Sequence, residues 1–187
     1  MNDTPKPISV PYRFIFVSLL PIFLLAAIIP ALPDSETFLS LSQFLDLHLL
    51  GTVGFTSELF PLTAKAIANY VSIATPILSI YVMVYIGKEM VAKSKKNIKN
   101  PFSFLHIATA VIGFILLTAF IIYMNYFTVT DLYHQHRLYH IFGTQVMLFA
   151  LFSVIWMLAL YLILVMNYAL FVVIPYLILV KKPFAPQ

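Results

Sequence analysis

From Ile141 to Val180 the chain runs through forty residues without one acidic or basic side chain, and Lys181 and Lys182 close the run. About 20 predominantly apolar residues already cross a bilayer, so a stretch of this length dictates a membrane environment. Two crossings would need a polar turn, and Asn167 alone offers one. They would also carry the terminal lysines to the opposite side from the other basic segments. The run is therefore read as one long, tilted or kinked helix, spanning at about 143–174, with Pro175 breaking it near its basic end. A partial or re-entrant fifth segment is the alternative.

The rest of the 187-residue chain agrees. Hydrophobic residues make up 61%, charged residues 10%, and the mean hydropathy is +0.96, whereas about a quarter of residues are charged in soluble domains. The expected fold is an all-α integral membrane protein with four transmembrane helices, and no room for a separate soluble domain. The other three spans lie at about 12–32, 66–86 and 104–127. In the first, Pro21 predicts a kink and Pro30 and Pro33 an abrupt end. It is read as retained, since no A-x-A site closes it as in a cleaved signal peptide. An acidic loop at 34–58 follows, holding Asp34, Glu36, Asp46 and Glu58 with no lysine or arginine. Its "SQFLDLHLLGTVGF" reads either as a surface helix broken at Gly51 and Gly54 or as a solvated loop. Tyr123, Tyr126 and Phe127 mark the end of the third span as an interfacial aromatic cluster.

Charge sets the orientation. The N-terminal tail, the loop at 88–100 and the C-terminal tail carry two, five and two lysines or arginines, while the other connections carry only Lys65 and Arg137. The positive-inside rule places both termini and the basic loop in the cytoplasm, with the acidic and histidine-containing loops outside. The expected location is a bacterial inner membrane, multi-pass, N-in and C-in. The net charge of +4 is absorbed by this topology, and no nucleic-acid signature accompanies it.

Chemistry is sparse. The absence of cysteine removes disulfides, thiolate catalysis and cysteine-held metals. "HQHRLYH" brings His134, His136 and His140 close in sequence, and a helix would put His136 and His140 on one face. A metal site needs more ligands, and only His48 and His106 remain. No pair of histidines faces across a bundle as a haem would require, and no nucleophile stands at recognisable spacing from a base. Neither catalytic residues nor a metal or cofactor are assigned.

One polar pattern stands out within a span. In "ELFPLTAKAIANYVSIATPILSIYV", Lys65, Asn69, Ser72, Pro76 and Ser79 recur at spacings of four, three, four and three, which draws a single stripe down a helix. Polar and small groups in a span normally face other helices, where hydrogen bonds contribute roughly 0.6 kcal/mol each. Pro76 also frees the carbonyl of Ser72, giving the stripe one more acceptor. Thr109 and Gly113 of the third span form a small-xxx-small pair that could meet it. The stripe thus faces either this internal surface or a helix of another protein.

This stretch, in this topology, resembles the immunity proteins that protect bacteria against pore-forming colicins, in particular the colicin A type. Pro61, Leu62, Lys65, Tyr70 and the Thr75 and Pro76 pair correspond to that family's second span, with Pro76 one residue later than its pattern. The lysine-rich middle loop and the Lys-Lys near the end fit loosely as well. The resemblance implies binding without catalysis. The partner would be the pore-forming domain of a colicin-like toxin, met through its helices within the inner membrane before the channel opens. Recognition would fall to Lys65, Asn69, Tyr70, Ser72, Pro76 and Ser79. The alternatives are a phage or plasmid exclusion protein, an immunity protein for a secreted effector, or a small membrane enzyme or redox subunit using the histidines. The sequence does not fix the oligomeric state.

Overall fold

The computed structural model describes residues 9–94 and 104–180. Lys6, Lys95, Lys96, Lys99, Lys181 and Lys182, on which the charge reading partly rests, lie outside the described residues. The chain is mostly helical. Two of its helices, Pro61–Ala92 and Val146–Leu177, are long and apolar enough to cross a membrane, at 32 residues each.

Helix α1 (Tyr12–Ile28) carries Pro21 and ends just before the Pro30 to Pro33 segment. The short helix α2 (Glu36–His48) follows. It turns Phe38, Leu41, Ser42 and Leu45 inward, an i, i+3, i+4, i+7 face, and leaves Leu39, Phe44 and Leu47 exposed on its other side. Gly51 and Gly54 take φ of +64° and +62°, values favourable only for a residue without Cβ, and the chain turns there into β1 (Gly54–Thr56).

Helix α3 (Pro61–Ser94) is the central element. Its first turns are buried on nearly every side, with Thr63, Ala64 and Ile67 wholly inaccessible. The small Thr63 and Ala64 side chains let neighbouring backbones approach closely. The Leu62 amide donates to Ala31 O at 3.1 Å, and Thr63 Oγ1 reaches Ile29 O and Pro30 O at 2.9 Å each. The end of α1 is thereby pinned to the start of α3, satisfying backbone groups that helix termini leave open.

Helix α4 (Phe104–Ile122) passes into a π-helical turn, Tyr123–Phe127. The strand β2 (Val129–Asp131) then pairs in parallel with β1, Gly54 opposite Val129. Helix α5 (Arg137–Thr144) leads into α6 (Val146–Tyr168), a second π-helical turn (Ala169–Val173) and α7 (Ile174–Val180). From Val146 to Val180 the helix is continuous. Asn167 is no turn: it lies within α6, where its Nδ2 donates to Ile163 O at 2.8 Å and Thr118 Oγ1 at 2.7 Å. Pro175, expected to break this helix, does not: it lies just after the π turn, and the helix runs through it to Val180.

The largest interface joins α3 and α6, and α1 packs against both. Phe60 meets Phe149 at one end of the pair, and Gly87 meets Tyr168 at the other, so α3 and α6 run in the same direction. Ser9 reaches Tyr85, while Ile29 reaches Thr63, so α1 runs opposite to them. The same holds for α4, whose Thr118 meets Asn167 while Asn125 meets Trp156. The elements α2, β1, β2 and α5 therefore gather at the end of the bundle where α3 and α6 begin.

Two expectations need correction. Thr109 and Gly113 do not meet the stripe on α3. Thr109 is exposed, and open space surrounds the position a Gly113 Cβ would take. Tyr126 is not part of a purely interfacial aromatic cluster either. Tyr123 and Phe127 are 57% and 75% exposed, but the π turn between α4 and β2 swings Tyr126 inward, since an extra residue per turn re-aims the side chains around it.

Candidate functional site

Pro76 denies α3 one internal hydrogen bond, because it has no N–H to give to the carbonyl four residues back. That carbonyl belongs to Ser72, and Tyr126 Oη donates to it at 2.6 Å. Beside it, Ser72 Oγ accepts from Asn125 Nδ2 at 2.9 Å, and Asn125 Oδ1 accepts from Trp156 Nε1 at 3.0 Å. Ser72 and Asn125 are each 2% exposed. Three helical runs are thus joined at a level where apolar packing alone would leave their register loose. Stripe residue Ser79 and its neighbour Thr75 are also engaged within α3. Ser79, wholly buried, donates to Pro76 O at 2.7 Å, and Thr75 back-bonds to Val71 O.

Asn69, one turn earlier, is saturated. Its Oδ1 accepts from Leu50 N–H at 2.9 Å, and its Nδ2 donates to Gly51 O at 2.7 Å and to Lys65 O at 2.9 Å. This pattern admits only one orientation of the amide, because the flipped form would set like groups against each other. Lys65 Nζ grips both carboxylate oxygens of Asp46 on α2 at 2.9 Å, with Ser42 Oγ at 3.5 Å. Asn69 and Lys65 together tie α2 and the turn after it to α3.

Tyr70 takes a different direction from its helix. Its Oη donates to Ser18 O at 2.7 Å, and Tyr161 Oη lies 3.1 Å from Ser18 Oγ, which locks α1 against α3 and α6. The structure therefore brings Lys65, Asn69, Tyr70, Ser72, Pro76 and Ser79 into one internal scaffold, whose hydrogen-bonding groups find their partners within the chain. Sequence reasoning missed Ser18, Asp46, Asn125, Trp156 and Tyr161. The sole tryptophan and an asparagine at the end of an apolar span were the available signals for two of them.

Beside this scaffold opens an apolar groove of about 590 Å³ between α1, α2 and α3. Leu25 and Ile29 of α1, Leu41 and Leu45 of α2, and Ile73 and Ile77 of α3 line it. Tyr70 and Asn69 touch it with side chains whose polar atoms are already engaged. Such a surface selects by shape and apolar area, since it offers no free donor or acceptor.

The histidines divide. His134 Nε2 lies 2.6 Å from Glu58 Oε2 in an exposed pair, and His140 Nδ1 bonds Tyr133 O, while His136 precedes α5 as its cap residue. Glu58, His134 and Asp131 bring one ligand atom each within 4.8 Å of one another. Asp131 Oδ1 is also the acceptor for Tyr133 N–H at 2.8 Å. At this exposure the pair acts as a surface link between the β1–α3 and β2–α5 connections, worth little in stability. No protein-family model, curated protein or solved structure matches the chain.

Proposed function

We propose that this chain is a membrane-embedded immunity protein. It would bind the helices of a pore-forming, colicin-like toxin in the bacterial inner membrane and keep the channel from opening. The observation that carries the reading is the apolar groove beside Asn69 and Tyr70, on the same helix as the Pro61 to Pro76 pattern that resembles the colicin A type family. A toxin helix confined to the same bilayer would meet such a groove by two-dimensional diffusion, so modest contact energy suffices.

The reading is multi-pass with cytoplasmic ends. Besides the two long helices, α1 and the continuous α4 and π turn would complete four spans, and the alternating helix directions support this. The role is binding, without catalysis. Of the six recognition residues, Tyr70 and Asn69 would shape the groove itself. Lys65 would hold α2 as its wall, and Ser72, Pro76 and Ser79 would fix the pitch of α3 behind it.

The test is expression of the chain alone in a sensitive bacterial strain challenged with a panel of pore-forming colicins. Growth rescued against at least one of them is the expected result. Full sensitivity to every member, with the protein present in the membrane fraction, would overturn the proposal. A haem absorption band or stoichiometric metal in the purified protein would favour a redox enzyme instead.

A further inference from the structure

At the opposite end of the bundle from the groove, a second cleft of about 530 Å³ opens between the last turns of α3 and the α6–α7 run. Its lining is mostly apolar, with Val84, Val91 and Val172 among it, and Lys88, Tyr168 and Tyr176 contribute the polar groups. Gly87 builds it. A methyl group there would fall 2.7 Å from Tyr168 Cε1 and 3.2 Å from its hydroxyl, so only glycine lets the Tyr168 ring lie directly on α3. Among the described residues, neither the Lys88 ammonium nor the Tyr168 and Tyr176 hydroxyls have a hydrogen-bond or ion-pair partner. That contrasts with the engaged tyrosines Tyr70, Tyr126 and Tyr161.

We propose that this cleft binds an anionic phospholipid. Its phosphodiester would be held by Lys88, Tyr168 and Tyr176, and one acyl chain would lie between the valines. The inference rests on the membrane reading but not on the toxin. Three observations select the ligand. The cleft is apolar inside, which suits an acyl chain and not a free anion. Its three unpaired donors line one cleft near the end of two helices long enough to cross a membrane, the level where headgroups would lie. The sequence just beyond the cleft is basic: Lys93, Lys95, Lys96 and Lys99 follow Lys88, with Glu89 the single acid among them. Basic clefts between spans at such an end recognise anionic headgroups, and an ammonium and hydroxyls donate strongly to a phosphodiester.

The test uses the full chain purified in a neutral detergent, melted with added phosphatidylglycerol, phosphatidylcholine or inorganic phosphate. Phosphatidylglycerol should raise the melting temperature and the other two should not. Lys88→Gln should weaken the effect about fivefold in lipid concentration, the factor for one lysine at an anionic surface. Tyr168→Phe, which keeps the ring on Gly87, should weaken it as well, and the double variant Lys95→Gln with Lys96→Gln should retain most of it. Equal stabilisation by phosphatidylcholine or by phosphate would overturn the proposal. So would loss of the effect in the Lys95/Lys96 variant with Lys88→Gln and Tyr168→Phe unchanged, since diffuse charge would then explain it. Recovery of all variants in the membrane fraction separates these outcomes from a failure of the membrane reading itself.

Discussion

Asn69→Leu keeps the size of the side chain and removes three hydrogen bonds, two that hold the turn after α2 to α3 and one to Lys65 O within α3. The three bonds are not equivalent. Lys65 O keeps its helical backbone partner and loses only a second donor. The Leu50 amide belongs to a residue that is 41% exposed, so water can partly replace Oδ1. Gly51 O is buried and loses its donor outright, at about 1–3 kcal/mol for a buried group left unpaired. The sum is about 2 kcal/mol, concentrated in the turn and not spread over the bundle. That corresponds to about a 30-fold increase in local opening. Hydrogen exchange in detergent reads this directly: the Leu50 amide should lose about that factor of protection while the amides of Ile67 and Val71 keep theirs. Exchange at Leu50 within twofold of the parent would refute the role given to Asn69, and uniform loss across α3 would show that the residue supports the bundle and not the turn.

The other expectations are narrower. A double-mutant cycle on Lys65→Met and Asp46→Asn should give a coupling of about 1 kcal/mol, the upper end for partly exposed pairs, falling as salt is raised; zero coupling at low salt would remove the ion pair from the account of how α2 is held. Gly143→Ala should destabilise by about 3 kcal/mol, the upper range for overpacking, because its Cβ would fall 2.3 Å from Tyr133 N and 2.6 Å from Leu132 C; unfolding in denaturing detergent measures this, and a neutral result would contradict the close approach of α5 to the β2 connection. Asn125→Leu removes the acceptor from the indole of Trp156, the only tryptophan in the chain, and should shift its fluorescence emission to the blue. An unchanged spectrum would mean that the indole N–H is bonded elsewhere.

The long apolar runs and Pro76 were legible from sequence because their physics is local, whereas Pro175, expected to end a helix, lies within a continuous one. The uncharged run from Ile141 fixes a long helix without reference to any partner. Pro76 announces a free carbonyl at Ser72 four residues ahead of itself. The acceptor's partner was not legible, since nothing near Tyr126 in sequence reveals that a π turn redirects it. Thr109 and Gly113 show the converse error. Their spacing is that of a packing motif, but spacing carries no information about which face of α4 turns toward α3, and the anchoring polar groups, Asn125 and Thr118, lie elsewhere on that segment. Lys65 could be read as a lysine at a membrane edge, whereas its pairing with Asp46 depends on the fold of α2.

The polar stripe and the apolar groove follow from one constraint. For the membrane-embedded chain proposed here, apolar packing barely distinguishes a neighbouring helix from lipid, so register between helices has to come from directional bonds. This chain concentrates those bonds on one face of α3, where Ser72 and Asn69 bind the π turn and the loop, and Tyr70 reaches round to α1. Once they are made, no polar group is left over for an incoming partner at the groove. Any specificity there must come from the shape set by Leu25, Leu45, Ile73 and Ile77, and from how rigidly Asn69 and Lys65 hold α2 over it. If the groove holds a toxin helix as proposed, substituting a stripe residue would abolish binding by loosening a wall, without ever removing a contact to the partner.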